Sequence, residues 1–283
     1  VVETAGVIRA VSDLHIAYPE NRRIVEELKP GSPDDWLIVA GDVGELMEDI
    51  EWALTLLRDR FAKVIWVPGN HELWKVKQET HPLRGVERYD ALVEMCRGLG
   101  VLTPEDPFPV WTGAGGPVRI APLFVLYDYT FLAPGTTNRE DSLAKAYEAG
   151  IVCTDEYFLD PAPYPSRQAW CAARVAESER RLAEVAGDLP LILVNHWPLV
   201  RKPTEVMTHQ EFVQWCGTVH TADWHTRFGA ELVIYGHLHI PRRTVYDGVP
   251  FEEVSIGYPR EWRRFGLRSD LARQIVPRRE VAA

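Results

Sequence analysis

Short, nearly continuous apolar runs recur along the chain, and each gives way to a cluster of glycine and polar residues. The runs at 6–12, 36–40, 63–67, 118–126, 190–195 and 231–235 predict strands buried on both faces. Between them, 21–28, 45–61 and 86–99 predict helices, the second from Ile50, Ala53, Leu54 and Leu57 at helical spacing. A long helix is expected over 166–186, with Ser166 as its N-cap and Gly187 just beyond its end. Strand, helix, strand, helix, strand over 6–67 is the pattern of a parallel α/β unit with right-handed crossovers. Two further runs, 243–246 and 249–255, joined by Asp247-Gly248, predict a hairpin. The Pro- and Gly-rich stretch 103–116 reads as a surface connection. Beyond a short helix at 139–148, the stretch 133–165 has little periodicity and reads as an excursion that lids or walls a site.

Size and charge narrow the possibilities. With 283 residues and 46% hydrophobic content the chain can bury one sizeable core. It is expected to form a single domain over 1–283, with an insert around 100–165, because no low-complexity linker interrupts it. No run approaches the roughly 20 apolar residues of a membrane span. Val1–Val11 is too short, and too interrupted by Glu3 and Arg9, for a signal peptide. A soluble, cytoplasmic protein is expected, with no membrane partner. The four cysteines lack CxxC spacing, which points to small buried hydrophobes rather than a zinc ribbon or a disulfide framework. A formal net charge of -10 argues against nucleic-acid binding. From 240 to 283, however, nine arginines face six acidic residues, which reads as a solvated tail or as a docking patch for an acidic partner.

The residues that follow the strands carry the chemistry. Asp13 and His15 come after the first, Asp42 after the second, and Asn70 and His71 after the third; His196, then His237 and His239, follow later ones. Ligands commonly bind at that edge of an α/β sheet. Hydrolysing a phosphate ester near neutral pH calls for an activated water and for positive charge beside the phosphoryl oxygens. Two cations about 3.5–4 Å apart supply both. Such a pair needs a bridging carboxylate, a role open to Asp42, with imidazole and neutral oxygen ligands around it. His-x-His alone is more often a surface turn; the convergence of five segments carries the argument. His237 and His239, as alternate residues of an extended strand end, would point apart and serve different metals. His81, His209, His220 and His225 have no such context.

In that order, Asp13-x-His15, Gly41-Asp42, Gly69-Asn70-His71-Glu72, Asn195-His196 and Gly236-His237-x-His239 resemble the calcineurin-like metallophosphoesterase superfamily. The resemblance implies a four-layer α/β/β/α sandwich with two metal ions, Fe with Mn or two Mn, and Zn as a further option. It implies that Asp13, His15, Asp42 and His239 hold one ion, and Asp42, Asn70, His196 and His237 the other. It also implies catalytic roles for Asp42, which holds the attacking hydroxide, and for His71, a non-ligand histidine at the phosphoryl group or leaving oxygen.

Three segments, 32–42, 102–111 and 251–262, resemble the phosphopantetheinyl hydrolases of actinobacteria. That similarity implies cleavage of holo-acyl carrier protein into apo-carrier and 4′-phosphopantetheine. Carrier proteins are acidic, so Arg201, Lys202 and the arginines after His239 are expected to form a positive docking rim. Trp74, Tyr127, Tyr129 and Phe131 are candidates to line a slot for the substrate arm; Glu72 and Asp128 are candidate supports for the ligands. The alternatives are a nucleotide or cyclic-nucleotide phosphodiesterase, a protein serine/threonine phosphatase, and a metal-dependent binding scaffold without turnover.

Overall fold

Alternate residues of the central strands enter different apolar layers, and this two-residue period builds the architecture. The computed structural model describes residues 6–79 and 82–278. In one sheet, β1 (Ile8–Val11), β2 (Trp36–Val39) and β3 (Lys63–Trp66) are parallel, and β10 (Arg273–Val276) pairs antiparallel with β1. The second sheet contains β4 (Val110–Trp111), β5 (Val118–Pro122), β6 (Leu191–Val194), β7 (Ala230–Tyr235), β8 (Arg243–Tyr246) and β9 (Val249–Glu253). Its order is β4-β5-β6-β7-β9-β8; the edge strands β4 and β8 run antiparallel to their neighbours.

Ile8, Ala10, Ile38, Ala40 and Ile65 of the first sheet meet Ile120, Ile192, Val194, Leu232 and Ile234 of the second in a core between the sheets. The intervening residues Val11, Leu37, Val39, Val64 and Trp66 pack with α1 (Pro19–Glu27), α2 (Met47–Arg58) and α3 (Gly85–Leu99) instead. On the other side, Leu191, Leu193, Val233 and Tyr235 pack with α6 (Arg167–Val185) and α7 (Trp224–Arg227). The result is a four-layer α/β/β/α sandwich. Each of these strand residues is buried, and burying a large aliphatic side chain stabilises by about 1.5–3 kcal/mol.

Two short helices, α4 (Arg139–Glu148) and α5 (Asp155–Phe158), lie in the excursion, and α8 (Pro259–Phe265) follows the hairpin of β8 and β9. Ser166 caps α6, its hydroxyl accepting from the Ala169 amide at 3.1 Å. The strand expected over 118–126 stops at Pro122. Beyond it the Asn195 side chain takes the place of a ladder, accepting from Val125 N and donating to Val125 O. The connection 103–116 contains β4, two residues long and too short to leave a period in the sequence. The four cysteines are free and buried.

The arginine-rich segment is not a solvated tail over its described length. Ile275 and Val276 enter the core between the sheets, and most of its arginines are tied to the fold. Arg242 donates to Pro203 O, Arg263 pairs with Glu20 and Arg268 with Asp270. Such pairing leaves much less free charge for a docking rim than composition implied. Arg279, like His81, lies outside the described residues.

Glu252 joins the two sheets electrostatically. Its fully buried carboxylate pairs with Arg243 of β8 through one oxygen and with Arg273 of β10 through the other. Removing one partner of a buried ion pair typically costs about 3–5 kcal/mol. Glu252→Ala is therefore expected to lower unfolding stability by about that amount in urea titration; a loss under about 1 kcal/mol would show that the two arginines find water or another acceptor.

Candidate metal centre

The carboxyl ends of β1, β2 and β3 in one sheet and of β6 and β7 in the other open onto the same edge of the sandwich. Asp13 and His15, Asp42, Asn70 and His71 come from the first sheet, and His196, His237 and His239 from the second. Five of these residues, Asp13, His15, Asp42, His237 and His239, have left-handed backbone, with φ between 43° and 69°. That conformation is uncommon outside glycine, although Asp and His tolerate it better than most. It turns each ligand-bearing loop sharply as the strand ends. Gly41 and Gly69 make room for the result. A Cβ at Gly41 would lie 2.6 Å from His196 Nδ1, and one at Gly69 would collide with Asp42 Oδ1.

Two overlapping groups of donor atoms form. Asp13, His15, Asp42 and His239 each offer an atom within 4.8 Å of the others, and Asp42, His196 and His237 do the same. Asp42 belongs to both. Asn70 completes the second group with its carbonyl Oδ1, 3.2 Å from His237 Nδ1. His237 and His239 fall into different groups, through left-handed backbone rather than the expected extended strand end.

The remote atoms of the ligands are tied down, so the near ones aim inward. His196 Nδ1 donates to Ala40 O and His237 Nε2 to Trp215 O; a carbonyl only accepts, so each bond fixes where a ring proton sits. His239 Nδ1 is held by Glu261 at 2.7 Å, which leaves Nε2 3.0 Å from Asp13 Oδ1. Asp155 accepts from Asn70 Nδ2 and from Trp74 Nε1, turning the Asn70 carbonyl toward His237. Ser12 Oγ donates to Asp13 Oδ2 at 2.5 Å. Glu72 accepts from the amides of Asp42, Val43 and Gly69 and from Trp66 Nε1, and so fastens two ligand loops together. Partners of this kind orient metal ligands in general.

The inner atoms fit a cation and fit each other poorly without one. His15 Nε2 and His239 Nε2 face one another at 3.1 Å, and His196 Nε2 and His237 Nδ1 at 3.3 Å. Imidazole, carboxylate and amide oxygen together suit borderline divalent ions. Protons substitute in part. Burial disfavours a charged His196, yet Asp42 outweighs it and raises the pKa to about 9. His239 is likewise raised, burial being overcome by Asp13 and Glu261. Burial then combines with the neighbouring imidazoles, His71 at His15 and His196 at His237, to lower both of the other rings, His237 to about 3. Burial works against ionised Asp13 and Asp42, but the surrounding histidines hold both low, Asp13 at about 2. Glu72, pressed by burial and by Asp42, rises to about 7.

His71 stands beside the donor atoms. Its Nδ1 is 2.6 Å from Glu45 Oε1, and its Nε2 is 3.8 Å from Asp42 Oδ2 and 3.3 Å from the Tyr258 hydroxyl. Burial lowers its pKa, but Asp42 and Glu45 raise it further, so its net shift is upward. The ring of Trp74 lies over it, 3.8 Å between centroids, and lines the cleft. Tyr127, Tyr129 and Phe131 do not: they are buried at 0%, 2% and 1% exposure within the domain, so the expected aromatic slot reduces to Trp74. Asp128 binds Thr130 and Thr218 and no ligand residue. His209, His220 and His225 stand apart from the cluster; His225 binds Asp247. Sequence reasoning missed Glu45, Asp155, Tyr258 and Glu261, which belong to no strand-end motif; Tyr258 and Glu261 do fall in a segment that carried the narrower resemblance. The excursion supplies one wall of the cleft through Val152, Cys153 and Thr154.

Comparison with known proteins agrees with this geometry. The model of the calcineurin-like phosphoesterase family matches residues 7–241. The acyl-carrier-protein phosphodiesterase PptH of Mycobacterium tuberculosis is 55% identical over 278 residues, which cover 97% of this chain and 86% of that protein. The crystal structure of the phosphopantetheinyl hydrolase from M. tuberculosis superposes with a TM-score of 0.97 at 53% identity, covering 100% of both chains. By the family match over most of its length, and in keeping with a histidine- and aspartate-rich cluster at its strand ends, the chain belongs to the calcineurin-like phosphoesterase family.

Proposed function

We propose that the protein is a dinuclear-metal phosphodiesterase that releases 4′-phosphopantetheine from holo-acyl carrier protein, leaving apo-carrier. The observation that carries the substrate is the 55% identity to an acyl-carrier-protein phosphodiesterase across nearly the whole chain. The chemistry rests on the donor set. Asp13, His15, Asp42 and His239 would hold one cation, and Asp42, Asn70, His196 and His237 the other, with Fe and Mn or two Mn as occupants and Zn as an alternative. When bound, such a pair acidifies water and neutralises charge building on the phosphoryl oxygens.

The chain's own residues do the rest. Asp42, shared by both groups, keeps the two sets of donors in register, and its Oδ1 accepts from the His71 amide at 3.0 Å. Glu45 accepts from His71 Nδ1–H and, with Asp42, favours the imidazolium form, whose Nε2–H faces the cleft. As water oxygen bonds to phosphorus and the bond to the carrier serine breaks, His71 Nε2 gives its proton to the departing serine oxygen. Trp74 and the wall at 152–154 exclude bulk water from one side. At the mouth, Arg260 is exposed and offers positive charge to an acidic carrier. The ligands come from both sheets, in keeping with one domain, and the four unpaired thiols suit a reducing cytoplasm.

The direct test is intact-mass measurement of several holo-carriers after incubation with the metal-loaded protein. Loss of the phosphopantetheine mass is expected; loss of phosphate from a phosphopeptide, with carriers untouched, would point to a protein phosphatase. His71→Ala is expected to lower turnover by about 10²–10⁴-fold with metal content retained. Asp42→Asn is expected to lose metal as well as rate, and full metal content by plasma emission analysis would refute its shared position.

Metal binding should also depend on pH in a defined direction. His196 and His239 hold protons in the metal-free protein at pH 7 and must shed them to bind. Raised folded-state histidine pKa values stabilise the metal-free fold at pH below about 6.5. That contribution is lost as pH rises through about 9. The gap in melting temperature between metal-loaded and chelated protein is therefore expected to widen from pH 6.5 to 9. A constant gap would mean that the histidines are not the competing sites.

A further inference from the structure

The cleft beside Asp42, Asn70, His71 and His239 has a volume of about 300 Å³, at the lower end of the range of small-ligand pockets. A second cavity of about 500 Å³ adjoins it and shares His239 and Glu261 as common wall. The backbone itself links the two, Leu238 facing the cleft and Ile240 the cavity. Ile256, Trp262 of α8, Leu267 and Leu271 give the cavity an apolar lining, and its size lies within the range of small-ligand pockets.

Away from the shared His239–Glu261 wall, Arg268 brings a charged group to that lining. Arg268 is held by Asp270 through Nε and Nη2, at 3.1 and 3.0 Å. Its Nη1 is buried and has no hydrogen-bond partner among the described residues. A buried N–H without an acceptor costs about 1–3 kcal/mol, more when charged, and such groups in native proteins call for a partner. Arg268 also lies on the cavity wall, so a turn of its guanidinium would bring that N–H into the cavity.

We propose that this chamber receives the pantetheine arm of the substrate and that Arg268 Nη1 donates to an amide carbonyl of the arm. The inference rests on the phosphodiesterase reading above. Pantetheine is a slim, uncharged chain with a geminal dimethyl group and two amides, which suits a chamber lined by Ile256, Leu267 and Leu271 with polar groups and an unpaired arginine N–H at its wall. With the arm in the chamber, the phosphoryl group reaches the histidine cluster past the His239–Glu261 pair. The carrier stays outside at the cleft mouth, by Val152 and Arg260.

Two variants test this. Leu271→Trp narrows the chamber with an indole from its wall, and Arg268→Met removes the donor while keeping the apolar stem. For each, kcat/KM on holo-carrier is expected to fall at least about ten-fold relative to kcat/KM on bis(p-nitrophenyl) phosphate, chiefly through KM. A merely structural role would depress both substrates together, and that result would overturn the assignment. Saturation-transfer NMR with pantetheine and metal-loaded protein gives a readout apart from turnover. Contact to the geminal methyls is expected in the parent chain and lost in Leu271→Trp; persistence of the contact in the narrowed variant would also overturn it. If the parent protein removes the arm and both variants do so at the same relative rate, the chamber assignment alone fails. If the parent leaves holo-carrier mass unchanged, the phosphodiesterase reading fails and takes the chamber with it.

Discussion

Carboxylates and imidazoles crowded together in a dry interior repel or desolvate one another unless positive charge sits among them. Asp13, Asp42, His15 and His196 are at most 2% exposed, and their neighbours His237 and His239 are partly shielded beside them. Burial opposes ionisation at every one of these groups, and the pKa directions show the cluster favouring the charged form of His196 and His239 while disfavouring it at His15 and His237. The rest of the fold serves to enforce this crowding. Two sheets bring their carboxyl edges together, glycines at 41 and 69 leave no side chain in the way, and Glu72 clamps two of the loops.

Enforcement has a local cost. Left-handed backbone at non-glycine residues costs on the order of 1–3 kcal/mol each and clusters where function demands it. Here it falls on five residues that carry donor atoms. The surrounding layers can offset that cost because they are built from strands apolar on both faces, which bury nearly every side chain they present. Bonds such as His196 Nδ1 to Ala40 O and His237 Nε2 to Trp215 O then fix ring orientation without any solvent-exposed partner. The site is therefore preorganised by main-chain carbonyls and buried carboxylates, with the excursion and C-terminal segment left to shape access.

Those two segments divide the approach to the cluster between them. The excursion contributes Asp155, which turns Asn70, and the wall at 152–154. The C-terminal segment contributes Tyr258 over His15, Glu261 against His239 and the lining of the adjoining chamber. Most of its arginines serve as fasteners, Arg273 linking β10 to Glu252 of β9 and Arg263 reaching Glu20. Charge counted along a chain thus overstates the charge available to a partner.

The layered α/β architecture and the donor residues after each strand were legible in the sequence, because a two-residue or helical period and a strand-end motif are local features. Periodicity gave the main strands and helices nearly in full, and stopped short only where Asn195 displaced a ladder after Pro122. It gave no warning of β4, α5 or α7, which are shorter than one clear period, nor of α8 and β10 in the segment that read as a tail or docking patch. Nor could it separate Trp74, which faces the cleft, from Tyr127, Tyr129 and Phe131, which do not. What tertiary structure alone decided was partnership across long separations: Glu45 with His71, Asp155 with Asn70, Glu261 with His239 and Glu252 with Arg273. An acidic residue in a sequence looks the same whether it will meet water or a buried imidazole; only the packing of the layers, which sets what lies opposite it, makes that choice.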